Sequence, residues 1–221
     1  MGGNRMQNPW EKIPLKDYEA HMSLESVRQL QAMHEIMRDQ LNVYPAESLM
    51  ILGVAGGNGV DYVREKAGEG NLKKVYGVDV NPSYLETVRQ RYADLKGILE
   101  CIRVNLRKEP GRLPQAEFVI ANLLIEYVGC ACFQDVIRKV RPIYVSCVIQ
   151  INAVKTGETW VSDSPYLHVF DDLESVHHQM EEQMVKESMR QIGYLAKGSW
   201  EYPLPNGKKL ERMDFAMSHA I

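Results

Sequence analysis

The chain has 221 residues, the length of one domain with some decoration. Its 45% hydrophobic and 25% charged residues exclude a disordered, fibrous or collagen-like protein. With 26 Lys+Arg against 29 Asp+Glu the net charge is −3, too even for a protein that works mainly by gripping a polyanion.

Four cysteines in a chain of this length do not make a disulfide framework. Cys101 and Cys147 fall in apolar, strand-like runs, so reduced thiols and a cytoplasmic setting are expected. No apolar leader opens the sequence, and no window reaches the roughly 20 apolar residues that a membrane helix needs.

Residues 1–20 are polar and interrupted by proline, and read as an arm lying on the domain. Ser23 then stands as an N-cap before Leu24, Val27, Leu30, Met33, Met37 and Leu41. Steps of three and four predict an amphipathic helix ending near Tyr44-Pro45. Residues 1–47 are thus an arm and helix covering whatever site the rest builds, and residues 48–221 one globular unit. The outer side of the 23–41 helix is a candidate homodimer face.

A short apolar run, 48–52, predicts a buried strand that stops at glycines. A helix follows over 60–67, and a second strand over 74–79. Asn81-Pro82 gives a cap with proline in the first turn of a helix, whose inner face is Leu85, Val88, Tyr92 and Leu95. Further strands are predicted at 98–106, 117–122 and 143–151, with a helix at 130–140. Strands alternating with helices imply a doubly wound, mostly parallel α/β sheet, Rossmann-like, with helices on both faces.

The end breaks the rhythm. Asp171 is a candidate N-cap for a helix over 172–192, with Gly193 at its C-cap. Strand-like runs at 198–204 and 210–218 flank Pro205-Asn206-Gly207-Lys208, where Asn-Gly suits a type I′ hairpin turn. The sheet is therefore expected to close with an antiparallel pair.

The most informative stretch is Gly53-Val54-Ala55-Gly56-Gly57-Asn58-Gly59, between the first strand and its helix. Small residues let the backbone turn sharply and approach a ligand. Asp79 closes the second strand, where an acid can accept hydrogen bonds from both hydroxyls of a ribose. Together these point to a nucleoside-type cofactor. The dinucleotide pattern G-x-G-x-x-G fails, because Tyr62 stands where its third glycine belongs.

On ILGVAGGNG (51–59), VYGVDVNPSYL (75–85), EFVIANLLIEYVG (117–129) and the closing hairpin, the chain resembles the class I S-adenosylmethionine-dependent methyltransferases. The segment DYEAHMSLESVRQLQ (17–31) resembles the leading arm of a bacterial subgroup of them. The resemblance covers about residues 48–218 and implies a seven-stranded sheet, S-adenosylmethionine as cofactor and S-adenosylhomocysteine as product.

Residue by residue, it places Ala55, Gly57 and Gly59 against the methionine and ribose portion. Gly53 takes the position where the family usually has an acid. Asp79 becomes the ribose ligand, Val80 the neighbour of the adenine, and Asn105 the reader of its amino group, with Leu106 a further cofactor-binding position. Asn122 and Leu123 face the methionine end and the reaction centre.

Methyl transfer needs alignment, exclusion of water and, for a protonated acceptor, a base. Glu126 and Tyr127, just past the fourth strand, are the candidates for chemistry. Tyr18 and His21 in the arm are candidates to cover the cofactor. Trp160, Tyr166 and His168 lie in the long connection 152–171 and are candidates for substrate selection. No metal site is expected: His177 and His178 are neighbours on one predicted helix, and Cys130-Ala131-Cys132 has no matching second pair.

A small-molecule acceptor is the leading expectation. A nucleic-acid methyltransferase is the next reading, opposed by Asn122-Leu123-Leu124-Ile125, where base-amino methylation uses Asn-Pro-Pro-aromatic. An NAD(P)-dependent reductase and a non-catalytic cofactor-binding relative are the others.

Overall fold

The computed structural model describes residues 8–152 and 160–218. Seven strands make one sheet: β1 Ser48–Leu52, β2 Lys74–Asp79, β3 Leu99–Arg103, β4 Phe118–Asn122, β5 Tyr144–Ile151, β6 Tyr194–Pro203 and β7 Lys209–Met217. Their order is β3-β2-β1-β4-β5-β7-β6. The pairs from β3 through to β5 are parallel, and β7 runs antiparallel to both β5 and β6. Seven helices surround it: α1 Leu15–Ser23, α2 Gln29–Val43, α3 Val60–Gly68, α4 Pro82–Arg91, α5 Ile125–Val128, α6 Cys130–Val140 and α7 Glu182–Gln191.

Side chains alternate across a strand, so β1 feeds two cores. Leu49 and Ile51 join Met37, Val60, Val63, Leu85 and Val88, under α2, α3 and α4. Met50 and Leu52 join Phe133, Val136, Ile137, Val140 and Met189, under α6 and α7. Strands covered on both faces read as unbroken apolar runs, which is why 48–52 is legible in the sequence. The order turns back between β1 and β4, and in such sheets a crevice opens beyond the strand ends at that point.

Three expectations need correction. Ser23 ends α1 rather than capping a helix, and its hydroxyl donates to the Ala20 carbonyl at 3.1 Å. The chain turns at 24–28, with Arg28 left-handed at φ 50°, before α2 begins. Val27 is fully buried in that turn, so the apolar spacing runs across a break in the helix.

The helix expected over 172–192 is also two pieces, a 3-10 turn at Leu167–Leu173 and α7. Leu173 packs with Ile13, Val161 and Phe170, whereas Met180 packs in the α6 core. One straight helix cannot serve both clusters.

The hairpin forms, but not on a type I′ turn. Pro205 and Asn206 are its central residues, Gly207 N donates to the Leu204 carbonyl at 3.1 Å, and Asn206 is not left-handed. Proline presets the first central position of an ordinary turn. Gly207, at φ 79°, takes the left-handed residue after it. Other caps match: Asn81 Oδ1 accepts from Ser83 N at 3.0 Å with Pro82 beside it, and Gly193 closes α7 at φ 85°.

Candidate active site

β1 ends in a loop drawn over the tip of β2. Gly53 N and Val54 N both donate to the Val78 carbonyl, at 2.8 and 3.0 Å. Gly53 is at φ 70° and Ala55 at φ 45°. A side chain on Gly53 would meet Leu124 Cδ1 at 3.2 Å, so the glycine is needed for both its angle and its room.

Asp79 knits this loop to β2. Its Oδ2 accepts from Ala55 N at 3.0 Å and its Oδ1 from Asn81 N at 2.9 Å. Burial pushes its pKa up to about 6, against the pull of the backbone N–H groups of Asn81, Ala55 and Val80.

A cavity lies beyond the strand ends. Gly53, Ala55, Asp79 and Val80 form one wall, and Asn105 and Leu106 a second. Asn105 Oδ1 accepts from Arg107 N at 3.1 Å. Asn122 and Leu123, at the end of β4, form the third wall. Leu123 sits at φ 53°, a left-handed angle a leucine rarely adopts, with its N–H on the Val148 carbonyl at 2.8 Å.

The arm is the roof. Trp10 and Tyr18 line the cavity, and Tyr127 meets Trp10 edge-on at 4.8 Å. Trp10 is held by Asn81, whose Nδ2 donates to its carbonyl at 2.9 Å, while Tyr84 OH donates to the Ile13 carbonyl at 2.9 Å. Charged clasps flank it: Glu11 with Arg103 at 2.6 Å, Lys12 with Asp172 at 2.6 Å, and Glu19 with Arg91. Arg91 also donates to the Gly56 carbonyl at 2.9 Å, tying arm, α4 and loop together.

A second chamber shares Trp10, Tyr18, Leu123 and Tyr127 with the first. Glu126, His21 and Trp160 line it. Glu126 is buried on α5, and its Oε1 accepts from Gln150 N at 2.7 Å. Its Oε2 has no partner among the described residues. Burial pushes its pKa up to about 7. His21 Nδ1 lies 2.8 Å from Ser164 Oγ, and burial followed by the nearby Lys208 charge lowers its pKa to about 4.

Not every expected residue converges. Gly57 and Gly59 line neither chamber. Gly57, at φ 84°, lies under Tyr92, whose hydroxyl donates to its carbonyl at 2.7 Å. Gly59 lies against α2, where an added Cβ would fall 2.4 Å from Met37 Cγ. These two glycines shape the loop against helices. Tyr166 and His168 line neither chamber. Part of the predicted recognition segment, 153–159, lies outside the described residues.

Sequence reasoning missed Trp10 and Gln40. Trp10 was a lone large aromatic in a polar arm. Gln40 was a polar residue between Met37 and Leu41 on the buried face of a helix, which was a usable signal. Among the described residues no helix is long and apolar enough to cross a membrane, and no group of His, Cys, Asp or Glu is placed to hold a metal.

The fold is that of class I S-adenosylmethionine-dependent methyltransferases. Among solved structures it is similar to geranyl diphosphate methyltransferase in complex with S-adenosylmethionine, with TM-score 0.62, 15% identity and 90% of each chain covered. The magnesium protoporphyrin IX methyltransferase of Synechocystis PCC 6803, with bound S-adenosylhomocysteine, gives TM-score 0.59 and 10% identity over 92% of this chain and 86% of that one. The (4+2)-cyclase SpnF gives TM-score 0.63 and 8% identity over 86% and 82%. No known family profile matches the chain, and no curated protein matches it in sequence.

Proposed function

We propose that this chain transfers a methyl group from S-adenosylmethionine to a small-molecule acceptor. The observation that carries the reading is Asp79. A buried carboxylate closes β2, grips the glycine loop through Ala55 N, and faces a cavity at the point where the sheet order reverses. Its two oxygens accept backbone N–H groups of the loop and of the residues just after β2, and keep lone-pair capacity for the ribose hydroxyls. Solved structures of this fold that hold S-adenosylmethionine or its product support the same cofactor here.

Gly53 and Ala55 would bring backbone against the ligand, Val80 and Leu106 would flank the adenine, and Asn105 would face its edge. Asn122 and Leu123 would meet the methionine portion, with Trp10 and Tyr18 excluding water above. Once bound, S-adenosylmethionine supplies an electrophilic methyl group on a sulfonium. Glu126, which lines the adjoining chamber and has one unpartnered oxygen, receives a proton from the acceptor, and Tyr127, which lines both chambers, stands between them. Trp160 touches the acceptor. Tyr166 and His168 have no role in this reading.

The basic residues around the site favour a small acceptor over a nucleic acid. Arg103 pairs with Glu11, Arg107 donates to His178 Nε2 at 2.9 Å, and Lys209 pairs with Glu201. Arg103 and Lys209 are thereby neutralised, which weakens any phosphate track, while Arg107 keeps its charge beside a neutral imidazole. Titration calorimetry with S-adenosylmethionine and S-adenosylhomocysteine tests the reading; a folded protein that binds neither overturns it. SpnF, a cyclase of similar fold, raises a second reading for this chain, one that holds the cofactor without transferring its methyl group. Failure to convert S-adenosylmethionine with any acceptor, despite tight binding, would favour that reading.

A further inference from the structure

The second chamber is lined by the aromatic rings of Trp10, Tyr18, Tyr127, Trp160 and Phe170 and by one carboxyl group, that of Glu126. Tyr127 meets Trp10 at 88° and Trp160 at 71°, and Tyr18 meets Trp10 at 82°. Rings set near right angles to one another make walls rather than a stack. Phe170 closes the side next to His21.

Glu126 is part of this lining, and its Oε2 is buried with no partner among the described residues. An ionised carboxylate in such surroundings is costly unless something pairs with it.

The other titratable groups of the chamber do not supply that partner. His21 and His177 are both held neutral, their pKa values lowered to about 4 by burial first. His177 is stacked on Trp160 at 4.2 Å. Lys208 donates to the Trp160 carbonyl at 2.8 Å and is not part of the chamber's lining. Tyr18 and Tyr127 carry no charge at neutral pH, since burial raises both phenols. No described cation forms an ion pair with Glu126.

We propose that this chamber binds the methyl acceptor as a small organic amine in its cationic form, with the aromatic walls around the ammonium and Glu126 as its counter-charge. Aromatic faces and a desolvated carboxylate each favour a cation over a neutral group of the same shape. An anionic acceptor is repelled by the same carboxylate. The proposal rests on the reading that the neighbouring cavity holds S-adenosylmethionine.

The test uses the full chain saturated with S-adenosylhomocysteine, titrated in a calorimeter with choline and with 3,3-dimethylbutan-1-ol. These probes share a shape and differ in charge. Choline is expected to bind at least about tenfold more tightly. Glu126→Gln, which keeps the bond from Gln150 N, should abolish that preference, and Trp160→Leu should reduce it several-fold. Circular dichroism confirms that each variant is folded. Equal affinities, binding of neither probe, or a preference that survives Glu126→Gln overturns the proposal. If S-adenosylhomocysteine itself does not bind, the methyl-transfer reading falls, while the free protein still reports whether the chamber prefers the cation.

Discussion

Gln40 and Asn122 exchange two hydrogen bonds of 2.9 Å each, Nε2 to Oδ1 and Nδ2 to Oε1. Gln40 Nε2 also donates to Ser146 Oγ at 2.8 Å, and Ser146 Oγ donates to Asp214 Oδ1 at 2.5 Å. Asp214 is fully buried in an ion pair with Arg212. The side chain that walls the cavity at the end of β4 is thus oriented from α2 and wired into a buried charge pair on β7. Gln40→Leu leaves Asn122 and Ser146 short of partners. It should cost about 2 kcal/mol in urea denaturation and weaken S-adenosylhomocysteine several-fold. Unchanged affinity would show that Asn122 keeps its orientation unaided.

Asp79 sets a pH dependence. Only the carboxylate form accepts from both ribose hydroxyls, and burial has moved its pKa up to about 6. Affinity for S-adenosylhomocysteine should therefore fall as pH drops through about 6, and Asp79→Asn should flatten that profile. Asp79→Ala should weaken binding at least about tenfold, or about 1.4 kcal/mol. Calorimetry across pH reads all three.

Glu126 makes a prediction for the ligand-free protein. Its pKa rises from 4.5 to about 7 on burial, so the folded state holds the proton more tightly than the unfolded chain. Its contribution to stability is full below about 4.5, falls as pH rises towards 7, and is level above that. Relative to Glu126→Gln, the wild type should lose on the order of 3 kcal/mol across that window. Parallel denaturation curves of the two proteins at every pH would contradict this.

Gly59 separates a loop-shaping role from a ligand-binding one. At φ 84°, with Met37 Cγ 2.4 Å from any Cβ, alanine is both strained and crowded. Gly59→Ala should lose about 2 kcal/mol or more of stability. Any protein that still folds should bind S-adenosylhomocysteine with wild-type affinity. A large affinity loss in a stable variant would put Gly59 in the ligand site.

What was legible in the sequence was local. The glycine loop, Asp79 and the Asn81-Pro82 cap each announce themselves within a few residues. So do the apolar runs of β1, β4 and β5, because strands covered on both faces need no alternation. The break between α1 and α2 was hidden because Val27 keeps the helical spacing while sitting in a turn. The 172–192 region failed for the same reason, with Leu173 and Met180 in different cores.

Gly57 and Gly59 illustrate a different limit. Sequence says that a glycine is needed there, but only the packed helices reveal that Tyr92 and Met37 are what it makes room for. The roof was the least legible part. Trp10 reaches Asn81 and Tyr127 from far along the chain, and such contacts leave no periodic trace.

The place of β7 bears on how the chain is made. This last strand in sequence lies between β5 and β6, not at the margin of the sheet. During synthesis β5 keeps one naked edge until residues up to Met217 have emerged. An unpaired edge of that kind is open to pairing with another nascent chain. The arm, which precedes the sheet in the chain, waits as well, since the clasp from Lys12 needs Asp172, 160 residues away. A ribosome stalled in the hairpin would therefore leave a chain carrying the glycine loop and Asp79, but with β5 open along one edge and β6 without its partner.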